Sequence, residues 1–151
     1  MTAALSIGDK APTLELPATG DTQVRIPSGK GQVIFFYPKD NTPGCTNEAK
    51  DFSALKGKFS KKGYDIIGIS RDSLASHEKF IAKQNLTIAL ASDEDGKATE
   101  SFGVWVEKNM YGKKYMGIER STFVIAADGS IANVWRKVKV KGHAEDVLTS
   151  L

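Results

Sequence analysis

The feature that most constrains this chain is the hand-over from strand to helix at residues 32–48. Gln32-Val33-Ile34-Phe35-Phe36-Tyr37 is a short apolar, aromatic and β-branched run with the length of a buried strand, and Pro38 stops it. Thr42 then suits an N-cap and Pro43 the first helical position, which puts Gly44 and Cys45 in the first turn of a helix. A buried strand feeding a helix so directly calls for a sheet with helices laid against it.

The rest of the chain repeats the alternation. Strands are expected at 13–16 and 23–26, with Gly20-Asp21 turning between them. The helix from Pro43 runs to about Lys62, carrying Ala49, Phe52, Leu55 and Phe59 at helical spacing, and Gly63 ends it. A strand at 64–70 and a helix at 73–84 follow, the latter with Leu74, His77, Phe80 and Ile81 near one face. Next come a strand at 87–91, a short helix at 96–102, a hairpin of 121–125 and 130–135 about Asp128-Gly129, and a closing helix at 144–151. This order predicts an α/β sandwich, one domain over residues 1–151, without internal repeats. Ligands in such sheets bind at the carboxyl ends of the strands, where Cys45 falls.

Composition narrows the classes. With 40% hydrophobic and 26% charged residues, the 151-residue chain is ordinary for a globular protein, and its net charge of +3 is small. The basic run Arg136-Lys137-Val138-Lys139-Val140-Lys141 alternates with valine, so a half-exposed strand with a solvated face is expected in preference to a nucleic-acid patch. No apolar stretch approaches the roughly 20 residues of a membrane span, and no signal-peptide pattern opens the chain. A lone cysteine fits a reducing compartment, and the cytoplasm is the expected location.

The chemistry centres on Cys45. Unpaired N–H groups and the positive end of the helix dipole favour an anion there, and the thiolate is the reactive form of cysteine. The bland alternative is a small buried hydrophobe, but the flanking Thr, Gly, Pro and Asn read as a turn. Neither a metal nor a cofactor is expected: His77 and His143 form no ligand cluster with the single cysteine, and there is no C-x-x-C, phosphate loop or dinucleotide fingerprint. His77 reads as a packed or surface histidine, and His143 as a cap or turn residue. A thiolate with no evident base suits an electrophile that needs none, such as a peroxide. The leaving oxygen then requires donors, for which the candidates are the Gly44 and Cys45 amides, the Thr42 hydroxyl and an arginine, with Arg120 and Arg71 equally placed.

Pro38, Thr42 and Cys45 fit the P-x-x-x-T/S-x-x-C signature of the peroxiredoxins. The longer stretch from Tyr37 to Glu48 resembles their Q-type, or bacterioferritin comigratory protein, subgroup. The resemblance extends through Gly8-Asp9-Lys10-Ala11-Pro12, Gly68-Ile69-Ser70-Arg71-Asp72, Ser92-Asp93, Gly117-Ile118, Arg120-Ser121-Thr122-Phe123 and Lys137 to His143. It implies a thioredoxin-like three-layer sandwich with an N-terminal β-hairpin extension, and a peroxidase acting on hydrogen peroxide and organic hydroperoxides. By the same resemblance Cys45 is the peroxidatic residue and Thr42 bonds the peroxide. Pro38 shields the thiolate, Arg120 holds thiolate and substrate, Gly44 contributes to substrate binding, and Glu48 orients the arginine.

One departure matters. Where the subgroup carries a resolving cysteine, this chain has Lys50 or Ile81, so the sulfenic acid must be reduced from outside. Thioredoxin, glutaredoxin and glutathione are the expected kinds of reductant. The subgroup leans toward monomers. Two other readings stay open at this stage: a redox sensor or chaperone that signals through Cys45 oxidation, and an interaction module whose cysteine is structural.

Overall fold

In the computed structural model, which describes residues 5–151, the period-two alternation of β3 (Gly31–Phe36) divides the core. Ile34 and Phe36 join one apolar cluster with Leu16, Ile69, Phe102 and Phe123. Val33, Phe35 and the adjoining Tyr37 join a second with Ala49, Phe52, Phe80 and Val147. Every residue of β3 is buried, as a strand covered on both faces requires.

β3 runs parallel to β4 (Tyr64–Ser70), and β4 runs parallel to β5 (Ala89–Ser92). The crossovers are α1 (Pro43–Lys61) and α2 (Leu74–Gln84), whose buried faces pack on the second cluster. On the other edge β8 (Ser121–Ile125) pairs antiparallel with β3, and β9 (Ile131–Trp135) with β8. The hairpin of β1 (Leu14–Ala18) and β2 (Thr22–Ile26) joins β5 through Ala18 and Ala91, completing the order β2-β1-β5-β4-β3-β8-β9. α4 (His143–Ser150) packs beside α1. On the opposite face lie α3 (Lys97–Ser101) and a separate hairpin of β6 (Trp105–Met110) and β7 (Lys113–Ile118), with Ala98, Val104, Trp105 and Ile118 in or against the first cluster. This is the thioredoxin-like three-layer sandwich with its N-terminal hairpin extension.

Close approach explains one glycine. A Cβ at Gly68 in β4 would lie 2.6 Å from the Phe35 ring and 2.8 Å from Leu90, so only glycine admits both side chains over that strand.

Several elements differ from the sequence reading. The β6–β7 hairpin was not expected, because its turn is Tyr111-Gly112, both with positive φ, where Asn-Gly or Asp-Gly would have signalled it. Its strands are also largely exposed, which removes the apolar alternation. Tyr111 and Tyr115 are exposed on this hairpin, Tyr111 at 99%. The run 136–141 is not a strand: β9 ends at Trp135, and Val138 makes one backbone bond, donating to the Arg120 carbonyl at 2.9 Å. Its exposure does alternate, with Lys137, Lys139 and Lys141 exposed and Arg136, Val138 and Val140 half-buried. β1 and β5 begin later than expected, and α4 begins one residue earlier, at His143.

Candidate active site

Cys45 stands where β3 hands over to α1. Thr42 is extended (φ −85°, ψ 153°) and its carbonyl accepts the first helical bond, from Thr46 N at 2.8 Å, with Pro43 next. Thr42 occupies the N-cap position, but its side chain does not cap. Its hydroxyl instead turns back and donates to the Lys39 carbonyl at 2.9 Å. The oxygen keeps its lone pairs for another partner. The turn-like flanks of Cys45 suggest exposure, yet the residue is only 1% exposed and belongs to the second cluster, with Tyr37 of the strand end and Ala49 of the next helical turn.

What separates this cysteine from a packed hydrophobe is Arg120. The guanidinium enters from the link between β7 and β8, donating from Nη2 to Cys45 Sγ at 3.3 Å and from Nη1 to Glu48 Oε1 at 2.7 Å. Gly44 makes room: a Cβ there would lie 3.2 Å from Nη2. Glu48, one turn along α1 from Cys45, is buried and not an exposed helix carboxylate. Burial pushes its carboxyl up to about 7 against the pull of Arg120, and its Oε2 has no hydrogen-bond partner. For Arg120 desolvation opposes the cation, but Glu48 and Cys45 outweigh it and hold its basicity above the usual value. Arg120 therefore stays charged, and burial leaves Glu48 easier to protonate than an ordinary carboxylate.

Pro38 is exposed at the end of β3. Arg71 points elsewhere: its Nε donates to Thr99 Oγ1 at 3.0 Å and its guanidinium lies 3.4 Å from the Trp105 ring centroid. Arg120, and not Arg71, meets the Cys45 sulfur. His143 is neither a cap nor an exposed turn residue. It is buried against Phe52 and Trp135, with Nε2 2.7 Å from Thr122 Oγ1, and burial lowers it to about 4, so it is neutral at physiological pH. His77 is packed, as expected, but within a polar network.

That network escaped the sequence reading. Asp40, in the turn before α1, is buried and accepts from Tyr37 Oη at 2.6 Å and Ser76 Oγ at 2.7 Å, and it meets His77 Nδ1 at 2.8 Å. Asp40, Asp72 and His77 bring three potential ligand atoms together, but the lone pairs are taken up by N–H and O–H donors, including Asp40 N and Ser70 Oγ on Asp72. The cluster is a hydrogen-bonded anchor. Its one sequence signal was an aspartate inside a strand-to-helix turn. Lys108 of β6 was also missed; burial and the Arg120 charge hold its ammonium below the usual basicity, while Cys45 pulls the other way, so a second cation lies toward the site.

A buried thiol held by an arginine and a buried carboxylate at a helix start, on this sheet order, defines a class. The chain belongs to the AhpC/TSA family, whose pattern matches residues 7–134. Within it, the similarity is to peroxiredoxins of the Bcp, or Q, type. Peroxiredoxin Bcp of Xanthomonas campestris pv. campestris is 51% identical over 145 residues, covering 93% of this chain and 91% of the relative. The Xylella fastidiosa PrxQ structure, a mutant, superposes with a TM-score of 0.92 at 40% identity, covering 98% and 96% of the two chains. A structure of Xanthomonas campestris bacterioferritin comigratory protein, studied for alkyl peroxide reduction, gives 0.89 at 47% identity over 96% of each chain.

Proposed function

We propose that this thiol-dependent peroxidase works through Cys45 alone, with an external thiol closing the cycle. The observation that carries the reading is the Arg120 contact to Sγ, 3.3 Å, at the start of α1 in a chain with one cysteine. The thiolate attacks one peroxide oxygen, the O–O bond breaks, the other oxygen leaves as water or alcohol, and Cys45 becomes a sulfenic acid. Arg120 stabilises the thiolate and the charge growing on the leaving oxygen through charge-assisted bonds, and Glu48 aims it. The Gly44 and Cys45 amides face the same charge. Thr42, its proton committed to Lys39, accepts from the peroxide hydroxyl. Pro38 screens the thiolate from water. The alkyl peroxide reduction attributed to the Xanthomonas relative extends the substrates here from hydrogen peroxide to organic hydroperoxides.

The second half needs a partner. Lys50 and Ile81 stand where a resolving cysteine would be, so a glutathione, glutaredoxin or thioredoxin thiol attacks Sγ, forming a mixed disulfide and releasing water. A second thiol then frees Cys45. One chain suffices for this cycle, so a monomer in a reducing cytoplasm fits it. No described helix is long and apolar enough to cross a membrane.

Mass spectrometry of peroxide-treated protein, with candidate thiols added one at a time, tests the reading. The expected products are the Cys45 sulfenic acid and then one mixed disulfide. Absence of oxidation at Cys45 overturns the peroxidase cycle, and turnover too slow to consume peroxide at physiological thiol levels favours a redox sensor.

A further inference from the structure

A peroxide is small, but a reducing thiol is not, and Cys45 is only 1% exposed. The first turn of α1 therefore has to move before an external sulfur reaches Sγ. We propose that Asp40 and His77 are positioning residues that latch this turn shut for the peroxide step, and that opening of the latch admits the reductant. The inference rests on the one-cysteine cycle above.

The latch is built from elements other than α1. Asp40 lies five residues before Cys45 in the turn, and its backbone N donates to Asp72 Oδ2 at 2.9 Å, beyond the end of β4. Its carboxylate receives Tyr37 Oη at 2.6 Å and Ser76 Oγ at 2.7 Å. His77 Nδ1 sits 2.8 Å from the same carboxylate, and His77 Nε2 sits 3.0 Å from the Ala91 carbonyl on β5. The two ring nitrogens thus span from the turn to the sheet, and the imidazole ties one to the other. Burial works against the Asp40 anion, but the bonds from His77 and Tyr37 hold its carboxyl below the ordinary range. The next residue, Asn41, takes a left-handed φ of +62°, a turn conformation that asparagine adopts more readily than most residues with a Cβ.

The body of α1 is secured separately, by Ala49, Phe52 and Phe59 in the core. Loss of the latch thus loosens Pro38 to Cys45 without releasing the helix. The closed turn aligns Thr42, Gly44 and Arg120 on the thiol, and the open turn exposes it. The latch consequently trades one half-reaction against the other. Reduction itself forms a bond from the incoming thiolate sulfur to Cys45 Sγ, breaks the S–O bond, and sends the hydroxide off as water after it takes a proton.

The test measures three rates on the full chain: alkylation of reduced Cys45 by iodoacetamide, oxidation by hydrogen peroxide, and re-reduction of the preformed sulfenic acid by glutathione. In Asp40→Asn and His77→Leu, alkylation and re-reduction are expected to rise about tenfold while peroxide oxidation falls. Tyr37→Phe, which loses one hydroxyl, is expected to show about a threefold change in the same directions and carries the test if the other two do not fold. Phe59→Leu, a core cavity at the far end of α1, should lower thermal stability and leave alkylation unchanged. Unaltered alkylation in folded latch variants, three rates moving together, or an equal alkylation rise in Phe59→Leu overturns the proposal. The alkylation arm needs no peroxide, so failure of wild-type Cys45 to oxidise would defeat the peroxidase cycle and still leave the latch decided.

Discussion

Arg120 and Arg71 begin from the same position in the chain's logic and end in different roles. Each follows or precedes a buried strand, and each lies over a glycine at the start of a helix. A Cβ at Gly44 would press on Arg120, and one at Gly96 would collide with Arg71. Around Arg120 the helix offers a thiol and a buried carboxylate, with contacts of 3.3 Å and 2.7 Å. Around Arg71 it offers the Thr99 hydroxyl, with the Trp105 ring stacked against the guanidinium, and Nη2 has no partner. One arginine therefore bridges an ionisable thiol and a buried carboxylate, and the other joins α3 and β6 to the end of β4. Position at a strand end brings an arginine to the edge of the sheet; the neighbouring helix decides what it does there.

The comparison can be broken at several points. The largest effect is expected from Cys45→Ser, which should abolish peroxide consumption while leaving the circular dichroism spectrum intact; activity in that variant would remove the reason for Arg120 to matter. Next, Arg120→Ala should slow Cys45 oxidation about 100-fold or more, the cost of losing a preorganised donor at developing charge. Arg71→Ala should lower the melting temperature with the oxidation rate kept within about threefold, since a stacked cation contributes roughly 1 kcal/mol to stability. Equal rate losses in the two would erase the distinction drawn here.

Smaller changes sharpen it. Gly44→Ala should cost roughly tenfold in oxidation rate, because the methyl at 3.2 Å displaces the guanidinium slightly, whereas Gly96→Ala should act on stability, its φ of +80° adding strain to the collision. The smallest effect is a pH dependence. Glu48 has its carboxyl raised from 4.5 to about 7, so the native state holds a proton that the unfolded chain releases, and the associated stability is present below pH 4.5 and lost as pH rises through 7. Urea midpoints of wild type should accordingly fall relative to Glu48→Gln between pH 5 and pH 8, and parallel curves would show that burial does not raise this carboxyl.

Much of the fold was legible because its strongest signals are local. The apolar run at 32–37 and the Thr42-Pro43 start are short-range patterns, and α1 begins where they place it and ends at Lys61, just before the expected Gly63 stop. The β6–β7 hairpin was not legible, since Tyr111 and Gly112 form its turn through positive φ values that tyrosine rarely signals, and its strands owe little to burial. Within the site, Cys45 and Thr42 could be named from their place at the helix start. Glu48 and Arg120 came from the family signature, and the Asp40–His77 anchor came from neither, because its bonds join residues 37 apart.

By itself the sequence determined the strand-to-helix hand-over, the placement of one thiol at a helix N-terminus and the lack of a second cysteine, all of which follow from neighbours within a turn or two. Only the tertiary structure decided which arginine meets that thiol, that Glu48 is buried and its carboxyl raised, and that Asp40 in the turn is bonded to His77 on α2. Those outcomes depend on distance and desolvation between residues remote in the chain, and the packing of helices on the sheet is what sets both.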